Sequence, residues 1–130
     1  MLVVDASIAV QLALDGVRPD VLTRETLIAP ALMWSETTSA LHELAFRGEI
    51  TVDAAIRAIA GLADVGIEPR NDRRLHVEAS RIARQLGWAK TYDAEYVALS
   101  QLTGSRLLTR DARLRRGAAR IADVIGPSEL

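Results

Sequence analysis

The sequence predicts an α/β fold, a mostly parallel central sheet enclosed by helices. Three observations carry that expectation. Short apolar runs rich in β-branched residues, such as Leu2-Val3-Val4 and Leu27-Ile28-Ala29, alternate with longer segments of helical spacing. The runs are apolar at successive positions, as strands buried on both faces are. Their order is strand, helices, strand, helices, strand, the pattern of a layered sandwich around a parallel sheet. With 130 residues and a hydrophobic fraction of 49%, the chain forms one domain over 1–130 and buries a core without staples.

The elements follow in order. Leu2-Val3-Val4 is a strand ended by Asp5-Ala6-Ser7, and Ile8, Leu12 and Ala13 carry a helix beyond it. A polar turn with Gly16 and Pro19 leads through a short helical stretch to the strand Leu27-Ile28-Ala29. Pro30 suits the first turn of a helix over Ala31 to Phe46, with Gly48 closing its C-terminus. Thr51-Val52-Asp53 starts another helix, with Ile56, Ile59 and Ala60 on one stripe. Val65-Gly66-Ile67 reads as a third strand, ended by Pro69. Asp72 caps a helix whose Leu75, Ala79, Ile82, Ala83 and Leu86 face the core, and Gly87 stops it. A helix from about Asp93 to Leu102 ends at Gly104, and Arg106 to Thr109 forms a strand. Asp111 to Arg116 is a short helix, and Ile121 to Ile125 is the last strand.

Composition narrows the chemistry. The formal net charge is -1, so a polyanion must meet a local patch rather than a basic molecule. There is no cysteine, which removes disulfides, thiolate zinc sites and a cysteine nucleophile. The N-terminus lacks a basic leader pattern and no stretch approaches 18 apolar residues, so the expectation is a cytoplasmic protein without a membrane span. No G-x-S-x-G elbow, P-loop or G-x-G-x-x-G is present. His42 and His76 lie on separate helices and have no zinc spacing.

What remains is acidic. Asp5 follows the first strand, Glu36 lies one turn into a helix, Asp93 starts another, and Asp111 stands two residues past the Arg106 to Thr109 strand. Open α/β sheets hold ligands at the carboxyl ends of their strands, where Asp5 and Asp111 should emerge. Each acid also has an ordinary reading as a helix cap or a dipole partner. Gathered in one pocket, four carboxylates would raise one another's pKa values, and a divalent cation resolves that conflict. Magnesium and manganese prefer such oxygen ligands, and they assist displacement at phosphorus. The pattern therefore points to a metal-dependent nuclease. Asp5, Glu36 and Asp93 would hold the ion, with water activated for attack on phosphorus.

The segments Val3-Val4-Asp5-Ala6-Ser7, Pro30 with Ser35-Glu36 and Ala40-Leu41, Tyr92-Asp93-Ala94 with Tyr96, and Leu108-Thr109-Arg110-Asp111 with Leu114 span almost the whole chain. In order and spacing they resemble PIN-domain ribonucleases, specifically the VapC toxins of toxin-antitoxin modules. The resemblance implies a PIN-like three-layer sandwich and an endoribonuclease dependent on Mg2+ or Mn2+. It implies Asp5, Glu36, Asp93 and Asp111 as the acidic site, with Asp5 and Asp93 as metal ligands and Ser7 and Thr109 as supporting hydroxyls. It further implies a homodimer and a cognate VapB-type antitoxin that threads a segment into the groove.

For RNA contact the sequence offers Arg106, Arg110, Arg113, Arg115, Arg116 and Arg120 beside Asp111, with Arg110, Arg113 and Arg116 as the expected phosphate contacts. Arginine outnumbers lysine fifteen to one throughout, so a general bias explains such clustering equally well. The helices around Trp34 to Phe46 and Thr51 to Leu62 carry apolar edges that a partner could cover. Three rival readings stand beside the nuclease. A receiver-type signalling domain wants paired acids after the first strand and a lysine late in the chain, whereas Asp5 stands alone and the only lysine is Lys90. A haloacid-dehalogenase-like phosphatase wants an aspartate where Ser7 stands. A PIN fold that binds RNA or antitoxin without cutting is the third.

Overall fold

Residues 1–130 are described by a computed structural model. Five strands, β1 (Leu2–Val4), β2 (Leu27–Ala29), β3 (Ile67–Pro69), β4 (Arg106–Leu108) and β5 (Val124–Ile125), form one sheet in the order β3-β2-β1-β4-β5. Every pairing is parallel, with Leu2 opposite both Leu27 and Arg106, and Leu27 opposite Ile67. The central strands β1 and β2 are buried at every residue, which is why continuous apolar runs rather than alternation marked them.

Seven helices connect and cover the strands: α1 (Ala6–Asp15), α2 (Asp20–Thr23), α3 (Leu32–Phe46), α4 (Val52–Gly61), α5 (Leu75–Leu86), α6 (Tyr92–Thr103) and α7 (Ala112–Ala118). Helices α1, α3 and α4 pack on one another, and α5 packs on α6, which also lies against β1 and β4. The core joins the strands to these helices; Val3, Val4, Ile28, Met33, Leu41, Val97 and Leu107 are sealed from solvent. Helix α6 is buried over seven successive residues, Ala94 to Ser100, so it is a central rather than a peripheral element.

Some boundaries differ from the sequence expectation, each for a local reason. Gly66 has φ +79°, a left-handed conformation that breaks extension, so β3 begins at Ile67 and not at Val65. The N–H groups of Ile121 and Ala122 both donate to the Ala118 carbonyl, completing a helical turn, so β5 is only Val124–Ile125. On α4 the buried residues are Ala55 and Ala58, while Ile56 is 59% exposed. Small alanines there face the packed neighbours α1 and α3, and the larger Ile56 turns outward. Asp72 does accept a hydrogen bond from the Arg74 N–H, but as a turn preceding α5 rather than as its cap.

Candidate active site

Strand order creates the site. From β1 the chain adds β2 and β3 on one side, then crosses over β1 to place β4 and β5 on the other. Parallel sheets open a crevice at the carboxyl ends of their strands where the direction of winding reverses. Here that point lies between β1 and β4, and the residues emerging from those strands are Asp5 and the segment Thr109-Arg110-Asp111.

Asp5 is 5% exposed and caps α1, its Oδ1 accepting from the Ile8 N–H at 3.2 Å. The Ser7 hydroxyl donates to the same oxygen at 2.6 Å, and the Thr109 hydroxyl donates to Oδ2. Both hydroxyls also accept from the β4 loop: Ser7 Oγ from the Arg110 N–H and Thr109 Oγ1 from the Asp111 N–H, each at 2.9 Å. Ser7 and Thr109 thus tie the two post-strand loops together around one carboxylate. Burial raises the Asp5 pKa against the opposing effect of these hydrogen bonds, and the negative charge of Asp111 raises it further.

Glu36 reaches the same region from α3. Half-buried, it accepts at Oε1 a 2.5 Å hydrogen bond from the Tyr96 hydroxyl on α6. Its pKa is raised by burial first, then by the charges of Asp93, Asp5 and Glu95, while the Tyr96 bond works the other way. Tyr96 is itself buried, and burial beside Glu36 drives its pKa far up, so the phenol stays a donor. Asp93 is the second residue of α6; it makes no capping bond and opens to solvent along one side. Desolvation within the groove and repulsion from Asp111 raise its pKa, partly offset by Arg113. Asp111 caps α7 through Oδ1, accepting from the N–H groups of Arg113 at 2.8 Å and Leu114 at 3.3 Å.

The structure brings the four acids that the sequence singled out within electrostatic reach in pairs, Glu36 with Asp5 and Asp93, and Asp111 with Asp5 and Asp93, while Asp5 itself stays buried beneath the groove-lining three. Glu36, Asp93 and Asp111 line an open groove of about 690 Å³ together with Lys90, Arg113 and Arg116. Arg110 lies apart from them, lining a neighbouring depression on the other side of Asp111. Arg115 is engaged with Glu129 at 2.5 Å, so it is not a free phosphate contact. A further depression of about 580 Å³, between α1 and α4, contains none of these acids.

Two residues had no role in the site as the sequence was read, although Tyr96 is among the segments that carry the resemblance. Tyr96 stands three positions after Asp93, on the neighbouring face of the same helix, and that spacing was the available sign of its role beside Glu36. Glu95, 8% exposed, has its pKa raised by burial, with an exposed His76 3.7 Å away on α5. An acid inside the apolar run Ala94 to Leu99 was its only mark in the sequence.

The donor set suits a hard divalent cation. All four groups offer oxygen, none of them forms an ion pair, and three carry raised pKa values that a cation would reverse. No three acids or histidines stand close enough together to hold a metal ion by themselves; magnesium, which takes one or two carboxylates and completes its shell with water and phosphate oxygens, does not require three.

A hydroxyl-braced acidic centre at the switch point of an all-parallel sheet, bordered by unpaired cations, defines a nuclease-type α/β fold. The chain belongs to the PIN domain family, whose model matches residues 2–120. It is similar to PAE2754 from Pyrobaculum aerophilum, known from its crystal structure, at 27% identity and a TM-score of 0.78, covering 98% of this chain and 91% of that one. No match is found among curated proteins.

Proposed function

We propose that this chain is a metal-dependent endoribonuclease acting as the toxin of a toxin-antitoxin module, with Mg2+ or Mn2+ as its cofactor. The observation that carries the reading is the convergence of Asp5, Glu36, Asp93 and Asp111, from four separate elements, beside Arg113 and Arg116. Asp5 and Asp93 would hold the ion, which when bound supplies charge neutralisation and Lewis-acid activation at the phosphate.

The chain's own groups then divide the remaining work. Ser7 and Thr109 fix the Asp5 carboxylate in one orientation through the bonds already described. Tyr96 occupies Glu36 Oε1, leaving Oε2 to accept the proton of an attacking water. Arg113 and Arg116 bind phosphate oxygens and hold the strand in register.

The partner expectations rest on less. Phe46 is 85% exposed, Val52 63% and Ile56 59%, all on α3, α4 and their connection, which supports a partner such as a second copy or a VapB-type antitoxin covering that edge. No helix is long and apolar enough to cross a membrane.

The test is cleavage of total RNA by purified protein with magnesium or manganese, with EDTA, and with Asp5→Asn. Discrete fragments that need both the metal and Asp5 are expected. Full cleavage by a folded Asp5→Asn variant overturns the assignment.

A further inference from the structure

Two aromatic residues line the groove beside the acids, and nothing in the hydrolytic chemistry uses them. Tyr92, the residue before Asp93, is 57% exposed at the start of α6. Trp88 lies half-buried in the loop between α5 and α6, with its indole against α7. A Cβ placed on Gly117 would stand 2.8 Å from Trp88 Cζ2, so the helix backbone itself holds the ring in place. Both aromatic residues line the groove that contains Glu36, Asp93 and Asp111.

An exposed tyrosine is ordinary; this one has particular company. Lys90, Arg113 and Arg116 line the same groove, and none of them is in an ion pair. The groove therefore carries two kinds of lining besides the carboxylates, cations that suit phosphates and aromatic rings that suit bases. Single-stranded nucleic acid is bound by that combination, because stacking needs an unpaired base and phosphate contacts need only the backbone. Its volume of about 690 Å³ falls in the range of ordinary ligand pockets and admits an extruded base with its flanking phosphates.

We infer that Tyr92 and Trp88 form a base-stacking subsite, which holds an unpaired RNA base next to the phosphate presented to the acids. The inference rests on the nuclease reading for its substrate and names the residues that select an unpaired position. Tyr92 supplies an adaptable face open to solvent, and Trp88 supplies a fixed one.

Binding separates this inference from cleavage. Short single-stranded oligoribonucleotides of mixed sequence, and matching ones with an abasic position at each site in turn, are titrated in EDTA against wild type, Tyr92→Ala and Tyr92→Phe. Tyr92 is exposed, so its replacement leaves the core intact, and circular dichroism checks this. Removing one base-aromatic stack weakens binding on the order of 5- to 150-fold. Tyr92→Ala is expected to lose affinity in that range and Tyr92→Phe to keep it. One abasic position should weaken wild type by a similar factor and weaken Tyr92→Ala, which keeps only Trp88, by less. The inference is overturned by no binding of the wild type, by equal affinity of Tyr92→Ala, or by equal abasic sensitivity in the two proteins. Binding that passes these tests without any RNA cleavage would instead remove the nuclease reading and leave the subsite standing.

Discussion

Replacing Tyr96 by phenylalanine removes one hydroxyl and keeps a ring that is 1% exposed, so the packing of α6 is preserved. What is lost is a 2.5 Å hydrogen bond to a carboxylate. Hydrogen bonds to charged groups contribute about 1.5–3 kcal/mol, but Glu36 is half-buried and water can take the donor's place. The net destabilisation should therefore be about 1 kcal/mol, a fall of about 3–5 °C in Tm for a chain of this size. The kinetic consequence has a definite sign. The Tyr96 bond lowers the Glu36 pKa against burial and repulsion, so its removal moves that pKa further up. If Glu36 accepts the water proton, the acid limb of the rate profile moves to higher pH, and the rate recovers on the alkaline side. The assay is the initial rate of cleavage of a fluorogenic oligoribonucleotide across mildly acidic to mildly alkaline pH. An acid limb that stays where it is in wild type refutes the role of Glu36 as base, whatever happens to Tm.

Three other outcomes are expected. Asp5→Asn abolishes cleavage but changes the stability of the metal-free protein little at neutral pH, because removal of a desolvated charge offsets the loss of the Thr109 hydroxyl's acceptor at Oδ2, while Oδ1 still accepts from Ser7 and the Ile8 N–H; a large drop in Tm would mean that lost activity reports lost folding. Asp5, Glu36 and Asp93 all have raised pKa values, so the native metal-free state keeps protons that the unfolded chain has released. Their favourable contribution is complete below the unfolded values near 4, is lost as pH rises through the folded ones, and should be restored at neutral pH by magnesium or manganese, by about 2.7 kcal/mol at a hundredfold excess over Kd. Thermal denaturation with and without metal reads both effects, and a Tm indifferent to metal would contradict the site. Gly117→Ala forces a methyl against the Trp88 ring and should destabilise by about 1–3 kcal/mol with a shift in tryptophan fluorescence, and an unchanged spectrum would show that the ring is not held by α7.

The layered α/β architecture and the strand positions were legible because they depend on local pattern. Leu2-Val3-Val4 and Leu27-Ile28-Ala29 are β1 and β2 as read, and the α5 stripe of Leu75, Ala79, Ile82 and Ala83 is buried. Where local reading failed, longer-range packing decided: Ile56 shared helical spacing with Ile59, yet only contact with α1 and α3 determines which face of α4 is covered. The four acids could be named because Asp5, Asp93 and Asp111 stand at element boundaries and Glu36 lies one turn into α3, and their approach could be expected only from the fold class.

Sequence by itself determined which residues can bear charge, turn the chain or fill a core, and hence the fold class and the candidate acids. Tertiary structure alone decided how those acids are held. Ser7, Thr109 and Asp5 are separated by up to 104 residues and meet because β1 pairs with β4. The Tyr96 to Glu36 bond spans 60 residues between two helices whose relative placement no local pattern encodes. Burial also belongs to the assembled fold: a carboxylate loses its water only when the rest of the chain has closed around it, and the raised pKa values arise at that step.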